Sequence, residues 1–318
     1  MRPLPKILDT LADRTLVPGY SKLGFALRRR GWRPLPAGAL RGKRVLVTGA
    51  NSGLGKATAA GLAELGAKVH LVVRDLGRGE KAREEITKRF PDAELSVEQC
   101  DVSSLDSVRA FAAGFLAKHD TIDVLVHNAG VMPPRRKETG EGYELTFATH
   151  VLGPFLLTRL LTPALSRSAS GRVIFVSSGG MYAQKLFDAD PQYREGEYKG
   201  VTAYARTKRM QVVLARLWGR ELENDGITVH AMHPGWAATP GVTDSLPGFA
   251  KIMGPLLRNP AQGVDTIIWL ATSDEGGSET GLFWHDRVTR PAHYFPRTKE
   301  TAAQRDRLWA YLSEIADK

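Results

Sequence analysis

The chain has 318 residues, 42% hydrophobic and 25% charged, the ordinary balance of a folded soluble protein. Its net charge of +10 sits almost wholly at one end: residues 1–44 hold 11 Lys/Arg and 2 Asp/Glu, while the remainder holds 33 and 32. A basicity confined to one end excludes a domain whose whole surface reads nucleic acid, and the single cysteine, Cys100, excludes an intrachain disulfide.

Residues 1–40 read as a basic amphipathic extension. Leu4, Ile7, Leu8 and Leu11 share one helical face, and Tyr20, Leu23 and Leu27 share another after the break at Val17-Pro18-Gly19. Arg28-Arg29-Arg30 and Trp32-Arg33 follow. Residues 1–33 suit a helix lying on an anionic membrane, although amphipathic helices more often pack on their own domain or a partner subunit. No run of about 18 apolar residues predicts a spanning helix, and Met1-Arg2-Pro3 does not begin like a secretory signal. A lone cysteine fits a reducing compartment, so the expected location is cytoplasmic, with a peripheral place on a membrane surface left open.

From residue 41 to 318 strands alternate with helices. Arg44–Thr48 reads as a strand, Lys56–Leu65 as a helix, Lys68–Val73 as a strand and Arg78–Phe90 as a helix. The strands Glu94–Gln99 and Asp123–His127 flank a helix at Leu105–Lys118, and a long helix spans Tyr143–Ser166. Then come the strand Arg172–Ser177, the helix Ala203–Asn224, the strand Ile227–Met232, a helix near Gln262–Ala271, a strand at Gly281–Trp284 and a last helix at Ala302–Ile315. This alternation predicts a single α/β domain, doubly wound around a parallel sheet of about seven strands. Pro234–Pro255, rich in Gly, Pro and Thr, reads as a long lid-like loop.

Between the first strand and the first helix lies Thr48-Gly49-Ala50-Asn51-Ser52-Gly53-Leu54-Gly55. Gly49 permits the tight turn, while Gly53 and Gly55 let backbone approach a pyrophosphate held at the helix N-terminus. Four more stretches stand at or just past strand ends, where open α/β sheets bind ligands: Asp101-Val102, Asn128-Ala129-Gly130, Tyr204-Ala205-Arg206-Thr207-Lys208, and Pro234-Gly235 with Thr239.

In these motifs, taken in order over residues ~41–290, the chain resembles the short-chain dehydrogenase/reductase superfamily, a Rossmann-type fold. Two longer stretches resemble its retinol-dehydrogenase-like members and, more narrowly, the branch called dehydrogenase/reductase member 12. They are Ser177-Ser178-Gly179-Gly180-Met181 with Gln184-Lys185-Leu186, and Met232-His233-Pro234-Gly235-Trp236 with Thr239-Pro240-Gly241-Val242. The resemblance implies that Asp101 and Val102 hold the adenine, Asn128 and Ala129 line the ribose, and Lys208 bonds the nicotinamide ribose. Pro234, Gly235 and Thr239 would hold the nicotinamide end. It also implies that Ser178 orients a substrate oxygen while Tyr204 exchanges its proton, helped by the charge of Lys208 one helical turn away.

The second strand ends at Val73, followed by Arg74, where an enzyme selective for NAD would place a carboxylate. A guanidinium there can fork onto a 2′-phosphate, so NADP(H) is expected over NAD(H), which a one-residue slip to Asp75 keeps open. The family's fourth catalytic residue is an asparagine that holds a relay water, and Thr149-His150-Val151-Leu152-Gly153 puts His150 in its place. Either this histidine holds the water or it is a satisfied packed residue. The stretch Phe187–Lys199 is an insertion expected to cap the substrate end, with a wet, charged outer face.

The expected function is hydride transfer between nicotinamide and a lipophilic carbonyl or alcohol. A catalytically weak NADP(H)-binding sensor and a membrane-surface protein are the alternatives. The expected partner is a lipophilic small molecule and no nucleic acid, with a homodimer open; no HExxH or Cys/His cluster suggests a metal.

Overall fold

The computed structural model describes residues 6–15, 17–238, 248, 251 and 253–318. Three short helices open the chain: α1 (Lys6–Arg14), α2 (Val17–Tyr20) and α3 (Lys22–Arg29). Next come β1 (Arg44–Thr48), α4 (Gly53–Glu64), β2 (Lys68–Val73), α5 (Leu76–Arg89), β3 (Leu95–Gln99), α6 (Leu105–Leu116) and β4 (Val124–His127). The long helix expected next is broken into α7 (Leu145–Phe147), a π-type turn at Ala148–Leu152, and α8 (Gly153–Ser166). The break lies against the loop after β3, where a Cβ on Gly153 would come within 1.7 Å of the Val102 carbonyl oxygen. After it follow β5 (Arg172–Val176), α9 (Gly200–Glu221), β6 (Thr228–His233), α10 (Pro260–Thr272), α11 (Glu275–Ser278), β7 (Leu282–His285), β8 (Val288–Thr289) and α12 (Ala302–Ala316).

The strands form one sheet in the order β3-β2-β1-β4-β5-β6-β7-β8. Among the described residues seven strands run parallel and the two-residue β8 is antiparallel, as the return arm of a hairpin from β7. Alternate side chains of the buried strands feed two cores. Leu46 faces the layer of α6, α8, α9 and α12, whereas Val45 and Val47 face that of α4, α5 and α10. Polar caps set several helix starts: Asp75 accepts from the Arg78 N–H, and capping boxes open α10 at Asn259 and α12 at Thr301. β1 is flanked by β2 and β4, so chain order reverses there and a crevice opens at the strands' carboxyl ends.

The extension packs on the body. Tyr20, Phe25 and Arg28 are buried, but Leu23 and Leu27 are exposed, so the face expected to carry Tyr20, Leu23 and Leu27 together is split. The turn between α2 and α3 separates them. Of the other stripe, Leu4 lies outside the described residues, as do the side chains of Ile7, Leu8 and Leu11. Most of the long loop after Pro234 also lies outside them. Among the described residues Leu145–Ser166 is long and apolar enough to cross a membrane, and its most apolar stretch is mostly buried inside the molecule, as befits a core helix.

Candidate active site

The carboxyl ends of β1 to β6 meet at a cleft of about 570 Å³. Gly49, Asn51, Ser52, Gly53, Leu54, Gly55, Arg74, Asp101, Val102, Asn128, Ala129, Gly130, Ser178, Tyr204, Lys208, Pro234 and Gly235 all line it. Thr239 lies outside the described residues. His150 is fully buried behind the cleft wall.

The floor is a backbone cradle. Gly49 takes φ +66°, and a Cβ there would sit 2.8 Å from the Cα of Ala129. A Cβ at Gly55 would sit 2.2 Å from the Gly49 carbonyl oxygen. The cap residue Ser52 makes no side-chain capping bond, so α4 opens toward the cleft with uncapped first-turn N–H groups, an arrangement that fits a pyrophosphate. Asn128 ties this floor to β1, its side-chain amide donating to the Thr48 carbonyl at 2.9 Å. The Thr48 hydroxyl accepts from the N–H groups of Asn128 and Ala129 at 3.0 and 3.1 Å, a bracing role that the sequence reading missed.

At one end β2 stops at Val73 and leaves Arg74 exposed on the rim. Asp75 is occupied as the N-cap of α5, its carboxylate 3.0 Å from the Arg78 N–H. That cap places a second guanidinium, Arg78, on the cleft wall. Only the cap spacing from Asp75 to Arg78 hinted at it. Asp101 is held at the edge by the Ser103 N–H and hydroxyl, which donate to one carboxylate oxygen at 2.9 and 2.7 Å.

At the other end Ser178, Tyr204 and Lys208 converge. The ammonium of Lys208 lies 5.3 Å from the centre of the Tyr204 ring, one helical turn away on α9. Ser178 stands near enough to Tyr204 for its hydroxyl to favour the ionised phenol. Burial pushes the phenol up, and the Ser178 bond opposes this; burial holds Lys208 down to about 7. Lys208 Nζ donates to the Val176 carbonyl at 2.8 Å and to the Gln211 side-chain oxygen at 3.1 Å. The Gln211 amide donates in turn to the His150 carbonyl at 2.9 Å. Gln211 was not foreseen, although its place three residues past Lys208 puts it on the same helical face.

His150 departs from the water-holding expectation. Its Nε2 accepts from the Val131 N–H at 2.9 Å, and its Nδ1 lies 2.8 Å from the Thr207 hydroxyl, which spends its own proton on the Tyr204 carbonyl. These partners assign the proton to Nδ1 and leave neither ring nitrogen for a water. Burial, with a smaller contribution from the Lys208 charge, holds the imidazole well below its ordinary range. The ring stands edge-on to Tyr204 at 5.4 Å, backing it from behind the cleft.

The mouth is apolar, with Val131, Met132, Val201 and Trp236 along it and Val201 53% exposed. In the insertion, Arg194, Glu195, Glu197 and Lys199 are exposed as expected. Asp188 and Gln192 are not: Asp188 accepts from Gln304 and Arg307, and Gln192 bonds the Glu144 N–H and the Tyr311 hydroxyl. The insertion is therefore anchored to α12 on its inner face. Outside the cleft the fold gathers His70, Glu98 and His119, with ligand atoms within 4.8 Å of one another, a group invisible in sequence. His70 Nδ1 is already paired there with Glu98 and Ser96 at 2.9 and 2.7 Å.

A family model described as short chain dehydrogenase matches residues 43–247. This chain belongs to the short-chain dehydrogenase/reductase family. As a member, it is an NAD(P)-dependent oxidoreductase acting on CH–OH donors. The dehydrogenase/reductase SDR family member 12 of Bos taurus is 42% identical over 300 residues, 93% of this chain and 94% of that one. Human retinol dehydrogenase 14 is 35% identical over 306 residues, 90% of this chain and 89% of that one. Within the short-chain dehydrogenase/reductase family the chain thus stands in the member 12 branch, among retinol-dehydrogenase-like proteins. The crystal structure of an uncharacterized Mycobacterium paratuberculosis protein shares the fold with a TM-score of 0.71, at 30% identity, over 91% of this chain and 98% of that one.

Proposed function

We propose that this protein interconverts a lipophilic aldehyde or ketone and its alcohol with NADP(H), using Tyr204 as acid/base. One observation carries the reading: Ser178, Tyr204 and Lys208 converge at the end of a cleft whose far end holds Arg74 and Arg78. When bound, the nicotinamide supplies or accepts the hydride. The Ser178 hydroxyl donates a hydrogen bond to the substrate oxygen and aims it at Tyr204. In reduction the Tyr204 hydroxyl gives that oxygen a proton, and in oxidation the phenolate takes it back. Lys208 stabilises the phenolate through space, and its third N–H is left to grip a ribose hydroxyl. Arg74 and Arg78 supply two cations for a 2′-phosphate, while Asp75 is spent as a helix cap and offers a ribose hydroxyl little. The apolar mouth favours a lipophilic substrate, a class to which the name of the retinol dehydrogenase relative also points.

A second reading, a slow NADP(H)-binding sensor, draws support from Gln211, whose amide occupies the link between Lys208 and the His150 carbonyl. The outer face of α3 supports a peripheral membrane contact beside either reading, since exposed Leu23 and Leu27 adjoin exposed Arg29 and Arg30. NADPH oxidation is to be measured against steroids, retinoids and long-chain aldehydes. Turnover on one class supports the enzyme, and tight NADPH binding without turnover supports the sensor. Failure to bind either dinucleotide rejects both.

A further inference from the structure

The extension reaches the cleft from behind. The ring of Tyr20, in α2, stands edge-on to His233 at 4.4 Å and to Trp236 at 5.9 Å. A Cβ added to Gly179 would lie 2.7 Å from that ring and 3.0 Å from His233 Nε2, so Tyr20 presses on the residue next to Ser178. His233 Nδ1 accepts from the Gly179 N–H at 3.0 Å, and the Tyr20 carbonyl accepts from the Trp236 N–H at 2.8 Å. His233, Trp236 and Ser178 all line the cleft.

A buried ionic knot holds the extension in this place. Arg258 forks onto Asp286 at 2.6 and 2.8 Å and donates to the carbonyls of Gly19 and Ser21 at 3.2 and 3.3 Å. Its guanidinium lies against Gly235, where a Cβ would come within 2.3 Å of Nε. Arg28 bonds Asp286 and the Gly19 carbonyl, each at 2.7 Å. Arg28 is 5% exposed, and Arg258 and Asp286 are 1% exposed. Burying such charges is costly, and apolar packing would attach the extension at least as firmly. A forked pair adds a single allowed geometry, which fixes the register of the extension against the loop after β6.

We propose that α2 and α3, carrying Tyr20 and Arg28, are a positioning element of the active site. Through the Arg28–Asp286–Arg258 knot and the Tyr20 ring they set His233, Trp236 and the Ser178–Gly179 turn. This orients the Ser178 hydroxyl toward the substrate oxygen. The proposal rests on the reading of the cleft as a carbonyl-reducing site. Tyr20, Arg28, Arg258 and Asp286 touch no reacting atom and act through the residues they hold.

Tyr20→Ala and Tyr20→Phe in the full chain provide the test. One readout is kcat and KM for carbonyl reduction, and the other is hydrogen exchange at the Gly179 and Trp236 amides of the protein alone. A remote displacement of a reacting group lowers turnover steeply, so folded Tyr20→Ala loses roughly tenfold or more in kcat. The KM for NADPH changes by less than about threefold, because the cradle is untouched. Both amides exchange faster in Tyr20→Ala, and Tyr20→Phe restores turnover and exchange together. A folded Tyr20→Ala with wild-type kcat and unchanged exchange overturns the proposal. Where Tyr20→Ala does not fold, Arg28→Lys, which keeps the charge and loses the guanidinium that reaches Asp9, Asp286 and the Gly19 carbonyl together, must show the same pattern, and wild-type behaviour there overturns it equally. Where the wild type reduces no carbonyl, the functional reading fails, and exchange alone decides: faster exchange upholds the positioning role and unchanged exchange rejects it.

Discussion

Lys208 and Gln211 are joined by a buried hydrogen bond of 3.1 Å, and Gln211 carries the connection on to the His150 carbonyl. An amide does not pass protons as a water does, so Gln211 holds the ammonium in place without draining it. Gln211→Leu removes one of the two acceptors of Lys208 and disfavours its charged form. The Tyr204 phenolate then has weaker support, and the rising limb of the alcohol-oxidation rate moves to higher pH. A pH profile of kcat checks this. A lowered melting temperature with an unmoved limb would show that Gln211 only packs.

His150 gives the opposite expectation. Both ring nitrogens are committed and the imidazole is held neutral, so no histidine titration appears in the rate between about pH 5 and 8. His150→Leu leaves the half-buried Val131 N–H without its acceptor, which costs up to about 1–3 kcal/mol and lowers the melting temperature. His150→Asn can restore one bond and costs less. Turnover per folded molecule stays within about threefold in both, a small change on the free-energy scale of catalysis. A rate limb near the histidine reference of about 6.5 that vanishes in His150→Asn would revive the relay reading.

Stability should depend on pH through Lys208. Burial holds it to about 7 in the folded protein, whereas the unfolded chain titrates it near 10.4. Between those values the unfolded state binds the extra proton, so this group makes the folded state more stable as pH rises from about 7 to 10. Lys208→Met lacks that contribution. In urea unfolding of the protein alone, wild-type stability minus Lys208→Met stability should grow with pH across this window. A constant or shrinking difference contradicts the assignment.

Arg74→Ala tests cofactor choice. Losing a charge-assisted bond to a 2′-phosphate costs about 1.5–3 kcal/mol, which weakens NADPH by roughly 10- to 150-fold. NADH, lacking that phosphate, should bind nearly as before. Arg78→Ala should show a smaller bias of the same sign. Equal losses for both cofactors would show that neither arginine reads the phosphate.

Local signals were read well. β1 and β2 have the predicted bounds, because apolar β-branched runs stop abruptly at Gly49 and Arg74. The Gly49–Gly55 stretch and the Tyr204–Lys208 pair were legible because each is a short continuous run of chain. What escaped depends on partners far away in sequence. Arg28 read as part of a basic run that left a membrane role and a packing role both open, and it is buried on Asp286, 258 residues on. His150 could not be placed from its own helix, because Val131 and Thr207, which satisfy it, come from other elements. Asp75 stayed ambiguous until the start of α5 made it a cap.

Everything proposed for the cleft turns on Tyr204 exchanging the proton while hydride moves. The direct measurement is single-turnover NADPH oxidation with the best carbonyl substrate, comparing wild type with Tyr204→Phe at matched cofactor saturation. Tyr204→Phe should bind NADPH with wild-type affinity and lose about 10²–10⁴-fold in the hydride-transfer rate, the range expected when a positioned acid is removed. A Tyr204→Phe variant that reduces the carbonyl at the wild-type rate would show that another group handles the proton.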